Sequence, residues 1–403
     1  MAGLSGGWKR RALHVGLTGG LLALAVSGAS ATASARSTAH VSASSAPALV
    51  SIGEGLKGPK GVTASVYTKG LPDVSDLAYD SQGRLWASAT GDPGAAPPAP
   101  GNGVYILAAG KAPVKVLGGS EVKYPIGIVW AGKTLIVSNY GYIEAWSGFN
   151  GKTFASHKVL FSGLAAGSSG WTDNGAVGPD GKVYLNVGAA CDACQPTGKL
   201  EADVISFKPN GTDLSVYATR VRGNSFVEFM PGTDDLFAAM NQQNGLVPAP
   251  HDQLGIIRKG DDWGFPTCYG QGGAVCNGVA TEVAPLPVHN GSSSMALVNG
   301  QLGSAYGTSA FVTSVSTGVV ERAELTKTAS GYTSNGTYQF LSGLTSADGI
   351  ILTPQHTLLV GNYATGTIYE ISVNTKVNPG ATATIKYVIP AVVTGKESAT
   401  PTK

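Results

Sequence analysis

Three features of the sequence predict an all-β fold, a six-bladed β-propeller with four-stranded antiparallel blades. A strand–turn–strand pattern occurs six times. Glycine is abundant, at 57 of 403 residues, while charged residues make up only 13%, a composition suited to many turns and little solvated helix surface. No stretch repeats its apolar residues at helical spacing, which leaves no basis for an alternating strand–helix fold.

The copies are "LAYDSQGRLWASATG" from Leu77, "IVWAGKTLIVSNYG" from Ile128, "GAVGPDGKVYLNVGA" from Gly175, "VEFMPGTDDLFAAMNQQNG" from Val227, "MALVNGQLGSAYGTSAFVTSVST" from Met295 and "IILTPQHTLLVGNYATG" from Ile350. In each, an alternating strand meets a polar turn and a second β-rich strand follows, ending in small polar residues. Starts lie about 50 residues apart, with one gap of about 70, the length of a propeller blade and too long for a hairpin or a leucine-rich unit. The other two strands of each blade fall between copies, as in "DVISFKP", "LSVYATR", "VVERAEL" and "TIYEISV".

Ahead of the repeats, Lys9, Arg10 and Arg11 precede an apolar run from Val15 to Val26 and then small residues, ending in Ala33-Ser34-Ala35. This is the pattern of a secretory signal over residues 1–35, with Ala29-Ser30-Ala31 as a second cleavage option. The apolar run is too short to span a bilayer. The Arg10-Arg11 pair also permits the twin-arginine route. Export to a secreted or extracytoplasmic location is therefore expected. Residues 36–60 read as a Ser/Ala/Gly-rich linker, 61–375 as the propeller and 376–403 as a tail in which "KYVIPAVV" is a candidate closing strand.

Without residues 1–35 the chain has 27 − 3 = 24 basic against 25 acidic residues. No basic stripe with interleaved aromatics suggests nucleic acid, and no polybasic run suggests an anionic membrane. Four cysteines, Cys191, Cys194, Cys268 and Cys276, in an exported chain read as disulfides, with local pairing preferred among the three connectivities. The alternatives are a redox Cys-x-x-Cys, which lacks the helix N-terminus that would lower a thiol pKa, and a four-cysteine zinc site, whose second pair is spaced too widely.

Propeller ligands bind at the channel mouth, so the polar residues near the inner strands are the candidates for function. Asp173, in Trp171-Thr172-Asp173-Asn174, would accept a proton or orient a sugar hydroxyl, or else bond its own turn. Arg222, followed by Gly223 and Asn224, would grip a carboxylate or polarise a carbonyl with its donor fork. A long polar loop, Asn241 to Gly270, offers Gln243, Asn244 and Asp252 as oxygen ligands for calcium, with too little charge for a tight site. Its Gly-Asp-Asp-Trp-Gly turn adds Trp263 as a candidate cofactor contact. Of the histidines beyond the signal, His251 and His289 are the candidate general bases, His40 lying in the linker and His157 and His356 in strand-connecting turns.

"GPDGKVYLNVG", "VISFKPNGTDLSVYATRVRGNSF", "DQLGIIRKGDDWGFPTCYG", "PVHNGSSSMA" and "GLTSADGIILTPQHTLLVGNYATGTIYEISV" resemble, in order and spacing, the soluble glucose/sorbosone dehydrogenase family over roughly residues 60–373. The resemblance implies an exported six-bladed propeller holding pyrroloquinoline quinone (PQQ) over the mouth with calcium, a histidine taking the proton of the sugar C1 hydroxyl as hydride passes to the quinone. The chain departs from this pattern where the chemistry lies. Gly170 stands at the position of the family's base, so Asp173 or a nearby histidine would have to replace it. The Arg-Asn pair becomes Arg222-Gly223 with Asn224 one step late, and the acidic groups of the long loop become Asp252-Gln253 and Gln243-Asn244-Gly245. The basic segment around the cofactor is replaced by "TSVSTGVVER", with only Arg322 near.

Residues and resemblance together imply a divergent PQQ-dependent sugar or aldehyde oxidoreductase using Asp173, Arg222 and His289, with Arg222, Asn224, Asn244 and Trp263 at the cofactor and Asp252 and Gln243 at calcium. The first alternative is a propeller without catalysis that binds a glycan, peptide or protein partner through the same mouth. The second is a calcium-dependent lactonase or lyase, which needs several acidic ligands converging on the axis.

Overall fold

The computed structural model describes residues 48–91, 101–166, 171–223, 225–288 and 290–374. The expected signal, Gly170, Asn224, His289 and the C-terminal tail lie outside them. A hairpin, β1 (Val50–Gly53) and β2 (Leu56–Gly58), precedes β3 (Val62–Thr68). Five blades follow in chain order. They are β4–β7 (Val74–Tyr79, Leu85–Ala89, Gly103–Leu107, Val114–Gly118), β8–β11 (Pro125–Ala131, Thr134–Asn139, Tyr142–Ser147, Ser156–Ser162), β12–β15 (Thr172–Val177, Val183–Val187, Asp203–Phe207, Ser215–Ala218), β16–β19 (Ser225–Phe229, Leu236–Met240, His251–Ile257, Ala284–Val288) and β20–β23 (Ser292–Asn299, Thr308–Ser314, Val319–Thr328, Gly331–Leu341). The sixth combines β24 (Ala347–Leu352), β25 (Leu358–Asn362) and β26 (Thr367–Val373) with β3.

All pairings within blades are antiparallel. The six repeats read from the sequence are the two inner strands of each blade. β4, β8, β12, β16, β20 and β24 each meet the next around the axis, and β24 returns to β4. The ring is closed by β3, which supplies the outermost strand of the last blade by pairing with β26, a device that ties the two ends of the propeller sequence into one sheet. "KYVIPAVV" lies outside the described residues.

Second strands such as "LWASA" (β5) and "LFAAM" (β17) are buried on both faces because a blade lies against each face, whereas β11 at a blade's outer edge is mostly exposed. The hydrophobic core is accordingly six inter-blade layers, for example Trp86, Ile128 and Trp146 between the first two blades and Phe237, Leu297 and Val312 between the fourth and fifth. Residues 50–58, assigned by composition to the linker, are part of this core: Ile52 and Leu56 pack with Leu341 and Leu344. The polar stretch from Asn241 to Gly270 is not one loop either, because β18 runs through it. Its seven residues form the third strand of the fourth blade, and the extra length behind the long repeat gap lies between β18 and β19.

The turns inside the repeats have a local cause. Asp80 Oδ1 accepts from the amides of Gln82 and Arg84, and Oδ2 from Trp86 Nε1 at 2.8 Å. Asp180 does the same in the Gly-Pro-Asp-Gly turn, accepting from the Lys182 amide and the Tyr184 hydroxyl. Gly83 and Gly181 take the left-handed conformation that closes these turns, and His356 takes it in the sixth repeat. The Gly-Pro-Asp-Gly motif is thus blade scaffold.

Candidate functional site at the channel mouth

The inner strands break their regular pairing near the mouth. Register shifts fall between Val74 and Asp76, Pro125 and Gly127, Thr172 and Gly175, Ser292 and Met295, and Asp348 and Ile350. A bulge re-aims neighbouring side chains. Here it divides the labour between consecutive residues.

Every inner strand lines a cavity of about 310 Å³: Ser75, Ile126, Asp173, Phe226, Ser292 with Ser293, and Asp348. The adjoining side chains belt the blades together. Asp76 accepts from the Ile128 amide at 2.8 Å, Asn174 from Val227 at 3.2 Å, Glu228 from Leu297 at 3.1 Å and Ser294 from Ile350 at 3.1 Å. At Gly127 a Cβ would overlap the Asn174 backbone, so close approach replaces a side-chain tie at that junction. A second tier of the cavity comes from residues just after the second strands, Thr90, Asn241, Val315 and Tyr363, and a third from residues just before the inner strands, Trp171, Gly291 and Ser346.

The belt and cavity carboxylates are buried. Desolvation raises Asp76 to about 8, against the relief from the amides of Ile128 and Leu77 and with a smaller push from Asp348. It raises Glu228 to about 8 and Asp348 to about 7, the latter bonded to the Gly349 amide and to Ser293. At neutral pH this channel therefore holds protonated acids, able to donate as well as accept.

Arg222 stands behind the cavity, its side chain only 1% exposed. Nη2 donates to Asp192 Oδ1 at 2.8 Å, and Nη1 to the Asn241 carbonyl at 2.8 Å. Burial lowers its pKa, and Asp192 opposes this. Asp192 also accepts from the amides of Asn244 and Gly245 at 2.8 and 2.9 Å. Burial pushes this carboxyl up, but the two amides and Arg222 outweigh it and hold it below its ordinary range. The Cys191–Cys194 disulfide closes the loop carrying Asp192, and Cys268–Cys276 closes the second local pair, the connectivity preferred from sequence. With both pairs closed as disulfides, no free cysteine is left among the described residues to bind zinc.

Of the candidates read from sequence, Asp173 faces the cavity and Arg222 backs it through Asn241. The other described candidates lie away from the cavity, and Asn224 and His289 lie outside the described residues. Trp263 is 5% exposed and packs over Gly255 in the core between the third and fourth blades. Asp252 accepts from the amides of Gln242 and Ser292, and burial raises its pKa. Gln243 donates to the Pro266 carbonyl, and Asn244 is exposed. His251 pairs with Glu282 at 2.8 Å and His157 with Glu144 at 2.7 Å, both on outer strands. Arg322 does not reach the mouth: it is buried against Tyr306 and bonded to Ser309 and Tyr338. Among the described residues no group of three or more His, Cys, Asp or Glu is placed to hold a metal ion. Asp348, Ser293, Thr90 and Tyr363 were missed from sequence. Their signal is positional: each recurs at one register of the repeat.

Solved structures share this fold. The PQQ-bound aldose sugar dehydrogenase of Streptomyces coelicolor matches with a TM-score of 0.62 at 17% identity, covering 78% of this chain and 99% of that one. The holo PQQ domain of pyranose dehydrogenase from Coprinopsis cinerea matches at 0.65 and 14%, covering 79% and 97%. A calcium structure of a Trichoderma reesei carbohydrate-active enzyme of family AA12 matches at 0.61 and 13%, covering 82% and 98%. No protein-family model and no curated protein matches the chain. At such identity the likeness is one of fold, and it falls on the group of proteins that the sequence motifs resemble.

Proposed function

We propose that the channel mouth binds a neutral sugar, in an exported propeller of the glucose/sorbosone dehydrogenase type. The observation that carries this is the composition of the inner-strand ring: three hydroxyls, two carboxyls and two apolar side chains, flanked by Trp171 and Tyr363. A pyranose presents apolar C–H faces and a rim of hydroxyls, and it is held by flat hydrophobic plates with a few placed acceptors and donors. The leader and the two disulfides support export. The test is calorimetric titration of the mature protein with monosaccharides. Binding that falls about tenfold or more in Asp173→Ala is expected; no heat with any sugar overturns the proposal.

A second reading, a PQQ-dependent oxidoreductase acting on that sugar or an aldehyde, is favoured by the likeness of fold to PQQ-bound dehydrogenases. PQQ is an acid with three carboxyl groups, and the described residues facing the cavity include Asp173 and Asp348 but no Lys, Arg or His. Arg222 is already engaged with Asp192. The described lining therefore does not fit the quinone, and no step is derived through it. Titration with PQQ, with and without calcium, followed by a sugar panel with an artificial electron acceptor, separates the two readings. Turnover would install the second.

A further inference from the structure

We infer that the mouth takes the end of an oligosaccharide chain, one unit in the cavity and the next units laid along an aromatic arc on the rim of the second and third blades. This rests on sugar binding at the mouth. A cavity of about 310 Å³ lies at the small end of ligand sites, room for little more than one sugar unit.

On the side of the second and third blades an aromatic arc continues beyond it. Tyr140 occupies, in the second blade, the register that Thr90, Asn241, Val315 and Tyr363 occupy in the others, the first residue after the second strand. Tyr124 and Trp171 occupy the register of Gly291 and Ser346, the last residue before an inner strand. Trp171 lines the cavity, Tyr140 meets it at 5.8 Å between ring centroids, and Tyr124 meets Tyr140 at 6.4 Å. The ring planes are steeply inclined, at 70° and 74°. An edge-to-face contact consumes one face of one ring, and all three residues are only partly buried. At the matching rim registers the third blade also has Gly188, the fifth has Gly291 and Val315, and the sixth has Ser346 and Tyr363, so the rings in mutual contact are those of the second and third blades.

Tyr124 is also held at a φ of 51°. A bulky residue there carries backbone strain. Its neighbour Pro125 opens β8, so the ring is fixed at the strand entrance and not on a free loop. The step from ring to ring is of the order of one pyranose repeat, so a chain leaving the cavity past Trp171 meets Tyr140 and then Tyr124.

The experiment is titration of the mature protein with glucose, cellobiose, cellotriose and cellotetraose, and with the matching malto-series. Affinity is expected to rise about fivefold per unit up to three units in one series and then level. Tyr140→Ala and Tyr124→Ala are expected to bring the trisaccharide back towards the affinity of the monosaccharide, while Tyr140→Phe retains the gain. Unfolding temperatures of the variants show that each is folded. Monosaccharide binding with no gain in either series overturns the chain-end inference and leaves sugar binding standing. No binding of any sugar overturns both.

Discussion

Replacing Glu228 by Gln tests whether the belt carboxylates are held protonated inside the channel. Glu228 lies among the packed inner strands, partly buried, and its Oε2 accepts from the Leu297 amide of the next blade. Gln keeps an acceptor for that amide and removes the ionisable group. Desolvation, with a smaller push from Asp76, raises the folded pKa from 4.5 to about 8. Between those values the folded state keeps a proton that the unfolded chain has released. The wild type's stability from this group is therefore fully present below about pH 4 and lost as pH rises towards 8, by about 4 kcal/mol between pH 5 and pH 9. Removing Glu228 also relieves Asp76, which enlarges the difference. Urea unfolding followed by tryptophan fluorescence, repeated across this range, gives the free-energy difference between variant and wild type at each pH. It should move in the variant's favour by about that amount. A difference that stays flat with pH would refute the protonated-belt account.

Asp192→Ala leaves Arg222 buried without its carboxylate and two amides without an acceptor. A loss of about 3 kcal/mol in urea unfolding is expected, and no loss would mean that Arg222 finds another partner. Gly255→Ala places a methyl group into the Trp263 ring, and an overpacking cost of about 3 kcal/mol should appear as a lower Tm. Asn174→Ala removes the acceptor of the Val227 amide and should cost about 1–2 kcal/mol in the same assay. Thr90 Oγ1 is buried with no hydrogen-bond partner among the described residues. Thr90→Val should therefore leave Tm unchanged or raise it, while weakening the binding of sugar at the mouth; weaker binding accompanied by a lower Tm would show that the hydroxyl serves the fold.

The blade count was legible because each repeat is set by local chemistry, an alternating strand followed by a turn that an aspartate or a left-handed residue closes. Asp80 and Asp180 act within six residues of themselves. The hairpin at 50–58 was not, since its Ser/Ala/Gly-rich surroundings conceal Ile52 and Leu56, whose burial depends on Leu341 and Leu344 far along the chain. β18 was hidden for the same kind of reason: His251, Asp252 and Gln253 read as loop residues, and only Glu282, the Ser292 amide and Gln242 give them partners as a strand. Asp173 was found at the mouth because it stands next to a recognised repeat. Trp263, Asp252 and Gln243 were chosen by residue type and family resemblance, and their types suit a core or a buried turn equally well.

Near the mouth each inner strand presents a ring position, and most present a belt position one or two residues on, and the two answer to different demands. The belt position must accept an amide proton from the next blade, which Asp76, Asn174, Glu228 and Ser294 do with three functional groups and three chain lengths. The ring position is held by the strand whatever its side chain, so Ser75, Ile126, Asp173, Phe226, Ser293 and Asp348 differ widely at one geometry. Fold and ligand chemistry are therefore written on separate residues. This separation accounts for a propeller that superposes on sugar dehydrogenases at 13–17% identity while the described part of its mouth offers carboxyls in place of cations. A likeness of blades then constrains the belt and leaves the ring to be read residue by residue, and that reading favours a neutral, hydroxyl-rich ligand over an anionic one.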